Sequence, residues 1–240
     1  MPAKTTDFWA AASRVNGWLT PGEGRFLHRA ALAAGPGAHL VEIGSFLGRS
    51  TLCLAAGLGE GATITSIDPH IGSPKHAHLL GCTDTYPHFL AALEREGVRD
   101  RVRAVRKMSS DAVDDVEGPI DFLFIDGSHE YEDVVRDYEL WSPKVRDGGR
   151  IAFHDSWHMA GPHRATAEIL ATTRQARDPE LADTITAFTK VASNTAAERL
   201  ANRAFLLTRL ARGARGFARL TWRGGTQMGR VPPLPQEAAG

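Results

Sequence analysis

Two aspartates and the histidines beside them are the residues in this sequence best suited by type and spacing to do chemistry. In the run Ile120-Asp-Phe-Leu-Phe-Ile-Asp-Gly-Ser-His129 apolar residues lead straight into Asp126, a glycine and a histidine; further on, Arg150-Ile-Ala-Phe-His154 leads into Asp155. Carboxylates are hard oxygen donors of the kind magnesium takes, and a bound divalent ion lowers the pKa of a coordinated hydroxyl. His129 lies three residues past Asp126, and an imidazole with an unperturbed pKa of about 6.5 suits proton removal near neutrality. Plainer readings stand beside these. The two aspartates could serve as helix caps and ligand contacts without an ion, and His129 could make a structural hydrogen bond at a helix start. His154 could face the core or ligate through nitrogen, in which case manganese or iron competes with magnesium.

A parallel sheet is what must position these groups. Ile120, Leu123, Phe124 and Ile125 form a near-continuous apolar run, the pattern of a strand covered on both faces. Asp126 then falls just beyond the carboxyl end of a strand, where open α/β sheets bind ligands. Tyr131, Val134, Val135 and Tyr138 recur at helical spacing. The breaker Asp147-Gly-Gly149 follows, and then the strand that ends at His154. Asp126 and Asp155 are thus separated by one strand-helix-strand unit and share an edge. His129 is expected on the first turn of the intervening helix, whose positive end would keep its ring neutral.

Upstream, Glu42-Ile-Gly-Ser-Phe-Leu-Gly-Arg-Ser-Thr51 reads as strand, glycine turn and helix start. Gly44 and Gly48 allow close backbone approach to a ligand, and Ser50 or Thr51 can cap the helix. The spacing lacks the middle glycine of the dinucleotide fingerprint and the Lys-Ser/Thr pair of a triphosphate loop. Asp68 ends the next strand, placed to accept hydrogen bonds from ribose hydroxyls. Ser109 and Ser110 follow a third strand, as ligand contacts or as a helix N-cap. The pattern predicts helices over 23–34, 52–58, 86–96 and from Gly161 to about Gln175, and strands over 39–43, 62–67, 101–106 and 184–191. Arg203–Thr208 is assigned as a closing antiparallel strand in preference to an amphipathic helix. Residues 1–20 read as an arm or lid, 21–212 as one domain of the doubly wound α/β class, and 213–240 as a flexible basic tail containing prolines.

Composition narrows the function classes. The 28 Lys plus Arg equal the 28 Asp plus Glu, so no global field points to nucleic acid or a membrane surface. Two cysteines, Cys53 and Cys82, give neither a disulfide framework nor a zinc spacing. His70, His76, His78 and His88 match no tetrahedral ligand set. No apolar run is long enough for a membrane span and no secretory signal is evident, so a cytoplasmic protein is expected.

Four motifs in register, Glu42-Ile-Gly-x-x-x-Gly-x-Ser50, Ser66-Ile-Asp-Pro69, Phe124-Ile-Asp-Gly-Ser-His129 and Gly148-Gly-x-Ile-x-x-His-Asp155, resemble class I S-adenosylmethionine-dependent methyltransferases. More narrowly, they look like the bacterial small-molecule branch related to metal-dependent O-methyltransferases of catechols and antibiotic sugars. The resemblance covers roughly residues 22 to 190. It implies a mostly parallel, seven-stranded Rossmann-like sheet. S-adenosylmethionine would lie on Glu42, Gly44, Ser45, Gly48, Ser50 and Asp68, with Ser109, Ser110 and Asp126 on the same side. It further implies His129 as general base and a divalent ion, Mg2+ or Mn2+, on Asp126, Asp155 and His154. This chain departs from both branches: catechol-type enzymes have Asn where Ser156 stands, and sugar-methylating relatives have an acid in place of His154. The implied reaction is methylation of a hydroxyl on a small, sugar-containing or polyhydroxylated natural product, by a protein that could form a homo-oligomer. The alternatives are metal-free N-methylation of an amino sugar and a non-catalytic S-adenosylmethionine-binding protein. A binding relic has no need of Asp126, His129 and Asp155 together, which favours the enzyme.

Overall fold

The computed structural model describes residues 8–72 and 81–223, with side chains described as far as Arg209. Seven strands form one sheet in the order β3-β2-β1-β4-β5-β7-β6. They are β1 (His39–Ile43), β2 (Thr63–Ile67), β3 (Val102–Val105), β4 (Ile120–Ile125), β5 (Val145–Phe153), β6 (Ala176–Ala182) and β7 (Ile185–Lys190). The first five pair in parallel, and β7 runs antiparallel to both β5 and β6. The helices are α1 (Phe8–Ser13), α2 (Pro21–Ala34), α3 (Arg49–Gly57), α4 (Tyr86–Arg95), α5 (Tyr131–Trp141), α6 (Ala160–Thr172) and α7 (Ala196–Arg223). Among the described residues no helix is long and apolar enough to cross a membrane. The doubly wound, mostly parallel architecture expected from the sequence is the one observed.

Alternate residues of the central strands feed two cores. Leu40, Phe122, Phe124 and Ala152 join α2 and α3 on one face, while Val41, Leu123, Ile125, Ile151 and Phe153 join Trp141 and Ile169 on the other. Burial on both faces explains the unbroken apolar runs. Thr20 starts α2 by a capping box: its Oγ1 accepts from Glu23 N at 3.1 Å, and Glu23 Oε2 accepts from Thr20 N at 2.8 Å. Phe8 stacks on His28 with ring centroids 4.5 Å apart. Arg49, the first residue of α3, donates to the carbonyls of Val15 at 2.7 Å, Gly17 at 2.5 Å and Leu19 at 3.3 Å.

Four expectations need correction. Arg203–Thr208 lies within α7, because Asn202, Phe205, Leu206 and Arg209 fall on one helical face toward the protein. The closing strand is instead β6, an edge strand whose exposed charges and Pro179 gave no apolar alternation to read. Asp147-Gly-Gly149 does not precede β5 but lies inside it, as an irregularity in the pairing with β4. Gly48, with φ 97°, takes the cap position of α3 without a side-chain bond, and Ser50 and Thr51 lie within the helix. The tail assigned to 213–240 lies outside the described residues from 224 onward, α7 being traced to Arg223.

Gly44 fixes how closely β1 and β4 approach at their carboxyl ends. Its φ is 88°, and a Cβ there would lie 2.1 Å from the backbone oxygen of Asp126. Gly44→Ala should therefore lower stability by about 3 kcal/mol, combining left-handed strain with backbone displacement. Urea denaturation of the variant and the parent measures it.

Candidate active site

Parallel register sets the level of each functional group. Ile43 pairs with Ile125 and Ile125 with Phe153, so Gly44, Asp126 and His154 are the next residues on three adjacent strands. The ladder continues into them: Asp126 N donates to Ile43 O at 2.8 Å and His154 N to Ile125 O at 3.0 Å. Asp155 then takes φ 50°, a left-handed conformation that a non-glycine residue holds only where its surroundings impose it.

The side chains that converge there are oppositely charged. His154 Nδ1 lies 3.0 Å from Asp126 Oδ1 and 3.5 Å from Asp155 Oδ2, and its Nε2 lies 3.3 Å from Glu23 Oε2. Asp155 also receives His129 Nε2 at 3.1 Å and His158 Nε2 at 3.2 Å. Burial alone would lower the pKa of His154, but the three carboxylates around it outweigh that and raise it well above the usual value. Burial pushes the Asp126 carboxyl up. Asp155 is driven the other way: hydrogen bonds from His129 and His154 overcome its burial. The contact with Asp155 raises the pKa of His129. This corrects the helix-dipole expectation, because His129 precedes the Glu130 cap of α5 and answers to the carboxylate beside it.

A second group of predicted residues gathers at the ends of β1 and β2. Asp68 Oδ2 accepts from Phe46 N at 2.8 Å and Oδ1 from His70 N at 2.6 Å, which ties the β2 loop to the glycine turn. Thr51 and Ser66 donate to Glu42 Oε2 at 2.5 and 2.6 Å, and Ser50 stands against the same carboxyl. Glu42 Oε1 and Ser45 Oγ are buried with no hydrogen-bond partner among the described residues. Buried polar atoms are rarely left so, and these two at the glycine turn suit a polar ligand. Ser109 and Ser110 are placed differently. Ser109 donates to Asp137 Oδ1 at 2.5 Å, and exposed Ser110 bonds Asp111; both lie in a 3-10 helix, Ser109–Asp115, whose N-cap position belongs to Met108.

The donor set also fits a divalent ion. One ligand atom from each of Asp126, His154 and Asp155 lies within 4.8 Å of the others, and two carboxylates with one imidazole form a hard, mixed site. His70 is buried on Thr85 Oγ1 at 2.9 Å, while His76 and His78 lie outside the described residues. A groove of about 870 Å³ lies at the opposite end of the sheet, lined by His39, Arg101, Arg103, Asp115 and Glu117. Its arginines 101 and 103 donate to the backbone carbonyls of Gly59, Ala62 and Asp115, so it holds no comparable set of convergent groups.

Two contributors went unnoticed in the sequence. Glu23 carried a legible signal, the Thr20-x-x-Glu23 capping pattern, but not its reach to Thr184, 161 positions away. Arg209 carried none. It is buried on the Ser156 carbonyl and on His163 Nδ1 at 2.8 Å, where it props the loop after Asp155.

Residues 41–156 match the family model Methyltransf_24, described as a methyltransferase domain. Over 121 residues the chain is 33% identical to y4gI, an uncharacterized protein of Sinorhizobium fredii, a match that takes in 49% of this chain. It spans only 13% of the length of that curated relative. The O-methyltransferase of Bacillus cereus, solved in complex with SAH, superposes with a TM-score of 0.57 at 22% identity, covering 78% of this chain and 93% of that one. TomG of Streptomyces achromogenes, an O-methyltransferase involved in tomaymycin synthesis and solved with SAM, gives 0.59 at 16% identity, with 80% and 92% covered. At these identities the two structures share the fold.

Glu42 gives the site a pH signature. Burial pushes its carboxyl up to about 7. A carboxyl whose folded pKa exceeds its unfolded value contributes stability that is complete below the unfolded pKa and is lost as pH rises through the folded one. Without ligand, the stability of the parent relative to Glu42→Gln should fall by roughly 2–3 kcal/mol between about pH 5 and about pH 8. Denaturation series across that range read it directly.

Proposed function

We infer, for a chain that carries a class I S-adenosylmethionine-dependent methyltransferase domain, that it methylates a hydroxyl of a small, sugar-containing or polyhydroxylated acceptor, with His129 as general base and a divalent ion on Asp126, Asp155 and His154. The observation that carries this reading is the convergence of those three ligand atoms within 4.8 Å, on the strand edge that also bears Glu42 and Gly44. Asp68, Ser45 and the backbone of the glycine turn would hold S-adenosylmethionine. A divalent ion, when bound, lowers the pKa of a coordinated hydroxyl and balances the alkoxide.

The chain's own residues supply the remaining steps. With its Nε2 proton directed at Asp155, 3.1 Å away, His129 offers Nδ1 as the acceptor for the hydroxyl proton. Its side chain is 46% exposed, so it can meet an entering acceptor. The hydroxyl oxygen then forms a bond to the methyl carbon as the carbon–sulfur bond breaks, S-adenosylhomocysteine departs, and the proton remains on His129 until water removes it. Positioning the two reactants in line provides much of the acceleration in such a displacement. The metal-free alternative raised by the sequence, N-methylation of an amino sugar, draws support from His154, whose protonated ring could itself balance Asp126 and Asp155.

Chelation separates the two versions. Purified protein should bind S-adenosylmethionine by calorimetry, lose turnover of a polyhydroxylated acceptor in excess chelator, and regain it with Mg2+ or Mn2+. Full turnover in chelator would remove the ion from the reaction and leave the carboxylates paired with the histidines around them.

His129→Ala should lower kcat by about 10²- to 10⁴-fold while leaving S-adenosylmethionine affinity nearly constant. Activity requires the unprotonated ring, and Asp155 raises the pKa of that ring, so turnover should fall toward acid pH in the parent. The same acidic limb should be missing from the residual rate of the variant. An unchanged rate and pH profile would move proton removal to His158.

A further inference from the structure

The equality of acids and bases over the whole chain conceals an uneven distribution. Residues 1–195 hold 20 Lys plus Arg against 26 Asp plus Glu, whereas α7 (Ala196–Arg223) holds seven arginines against Glu198 alone. A body with six net negative charges thus carries a helix with six net positive ones. One face of that helix is docked on the body: α7 packs on β6 and α6, Asn202 and Arg209 are buried, and Arg199 donates to Asn194 O at 2.8 Å. The opposite face is open. Leu200 and Leu207 are 68% and 69% exposed, exposed Ala204 stands between them, and Arg203 is exposed beside them. The sequence continues this three- and four-residue spacing through Ala211, Ala214, Ala218 and Trp222, with Arg212, Arg215 and Arg219 at intervening positions. Gly213 and Gly216 fall in the same stretch, and each costs a helix interior about 1 kcal/mol relative to Ala, so a surface that takes up the apolar seam would stabilise it.

We propose that the outer face of α7 docks on an anionic phospholipid surface, the helix lying in the plane of the bilayer with its Leu200–Leu207 seam in the headgroup boundary and its arginines on the lipid phosphates. An apolar stripe flanked by arginines, with an aromatic residue in line, is the make-up of helices that lie at a membrane interface. Each arginine near such a surface adds electrostatic attraction. The helix is not apolar enough to cross a membrane, so the contact is with the surface. Charge decides against the other occupants. A nucleic acid would engage the arginines and leave Leu200 and Leu207 in water. Two copies joined seam to seam would oppose six net positive charges with six, and Glu198 is the only acid in either helix to pair with them. The acidic body of a second copy offers no matching seam, because the other exposed large apolar residues among those described, Trp18, Leu32, Ile71 and Met108, lie one to an element.

The test is co-sedimentation of the full chain with vesicles of phosphatidylcholine alone and of phosphatidylcholine mixed with phosphatidylglycerol. The parent should partition to the mixed vesicles at least about tenfold more strongly, and high salt should remove the preference. Replacing both leucines, Leu200→Gln with Leu207→Gln, should weaken that partition about 10- to 100-fold and leave the melting temperature within a few degrees of the parent, since both side chains are exposed. Arg212→Gln with Arg215→Gln and Arg219→Gln should weaken it about 100-fold. A second readout needs neither set of variants: brominated phosphatidylcholine in the mixed vesicles should quench part of the tryptophan emission, and Trp222→Phe should abolish that quenching. Failure of the parent to bind either vesicle, or equal binding to both, overturns the proposal. So does a leucine variant that binds as the parent does while the arginine variant does not, which would make α7 a site for polyanions such as RNA. A parent that ignores vesicles and sediments at equilibrium as a dimer, broken by the leucine replacements, would give the seam to a second copy instead.

Discussion

The pairing of His154 with Glu23, Asp126 and Asp155 is the interaction on which the rest of the site depends. A buried imidazole among three carboxylates joins the ends of β4 and β5 to the start of α2, and through Thr184 to the turn between β6 and β7. Removing one partner from such a cluster leaves the others desolvated and uncompensated, which is far more costly than the pair is stabilising. The cluster is also unbalanced. Three acids surround one fully buried base, and the two further histidines, His129 and His158, reach Asp155 from the solvent side. An arrangement with this sign attracts positive charge, whether a proton or a metal ion.

Backbone geometry brings the acids together. Glycine at position 44 lets the β1 turn pass the Asp126 carbonyl with no room for a side chain, and the left-handed Asp155 turns the chain back after β5 so that two consecutive residues, His154 and Asp155, address the same point. Neither device is a matter of side-chain chemistry. Both depend on a sheet rigid enough to impose them, and the two apolar cores on its faces supply that rigidity.

The parts of this architecture that could be read from the sequence are those whose physics is local. Parallel strands buried on both faces announce themselves as apolar runs, so β1, β2 and β4 were legible almost to the residue, and with them the level of Glu42, Asp68 and Asp126. The strand β6 was not, since an exposed edge needs no apolar pattern. The helix α7 was misjudged where Leu200 and Leu207 point to solvent and polar Asn202 and Arg209 point inward. The proton affinity of His129 was misjudged as well, because the nearest charge belongs to a residue on another strand. Glu23 was seen only as a helix start. Its contact with Thr184 closes a long loop, and no window of sequence contains both partners.

The grip of Arg49 on the carbonyls of Val15, Gly17 and Leu19 has an optical consequence. The gripped segment carries Trp18, whose ring lies 5.3 Å from that of Phe46 in the glycine turn, and the Phe46 amide is bonded to Asp68. An indole in that place senses the polarity and packing of the turn, so its emission wavelength and its accessibility to quenchers should track whatever occupies the space between Gly44 and Asp68. One of the chain's five tryptophans thus stands beside the glycine turn, and the segment before α2 reports on a site formed by strands that follow it.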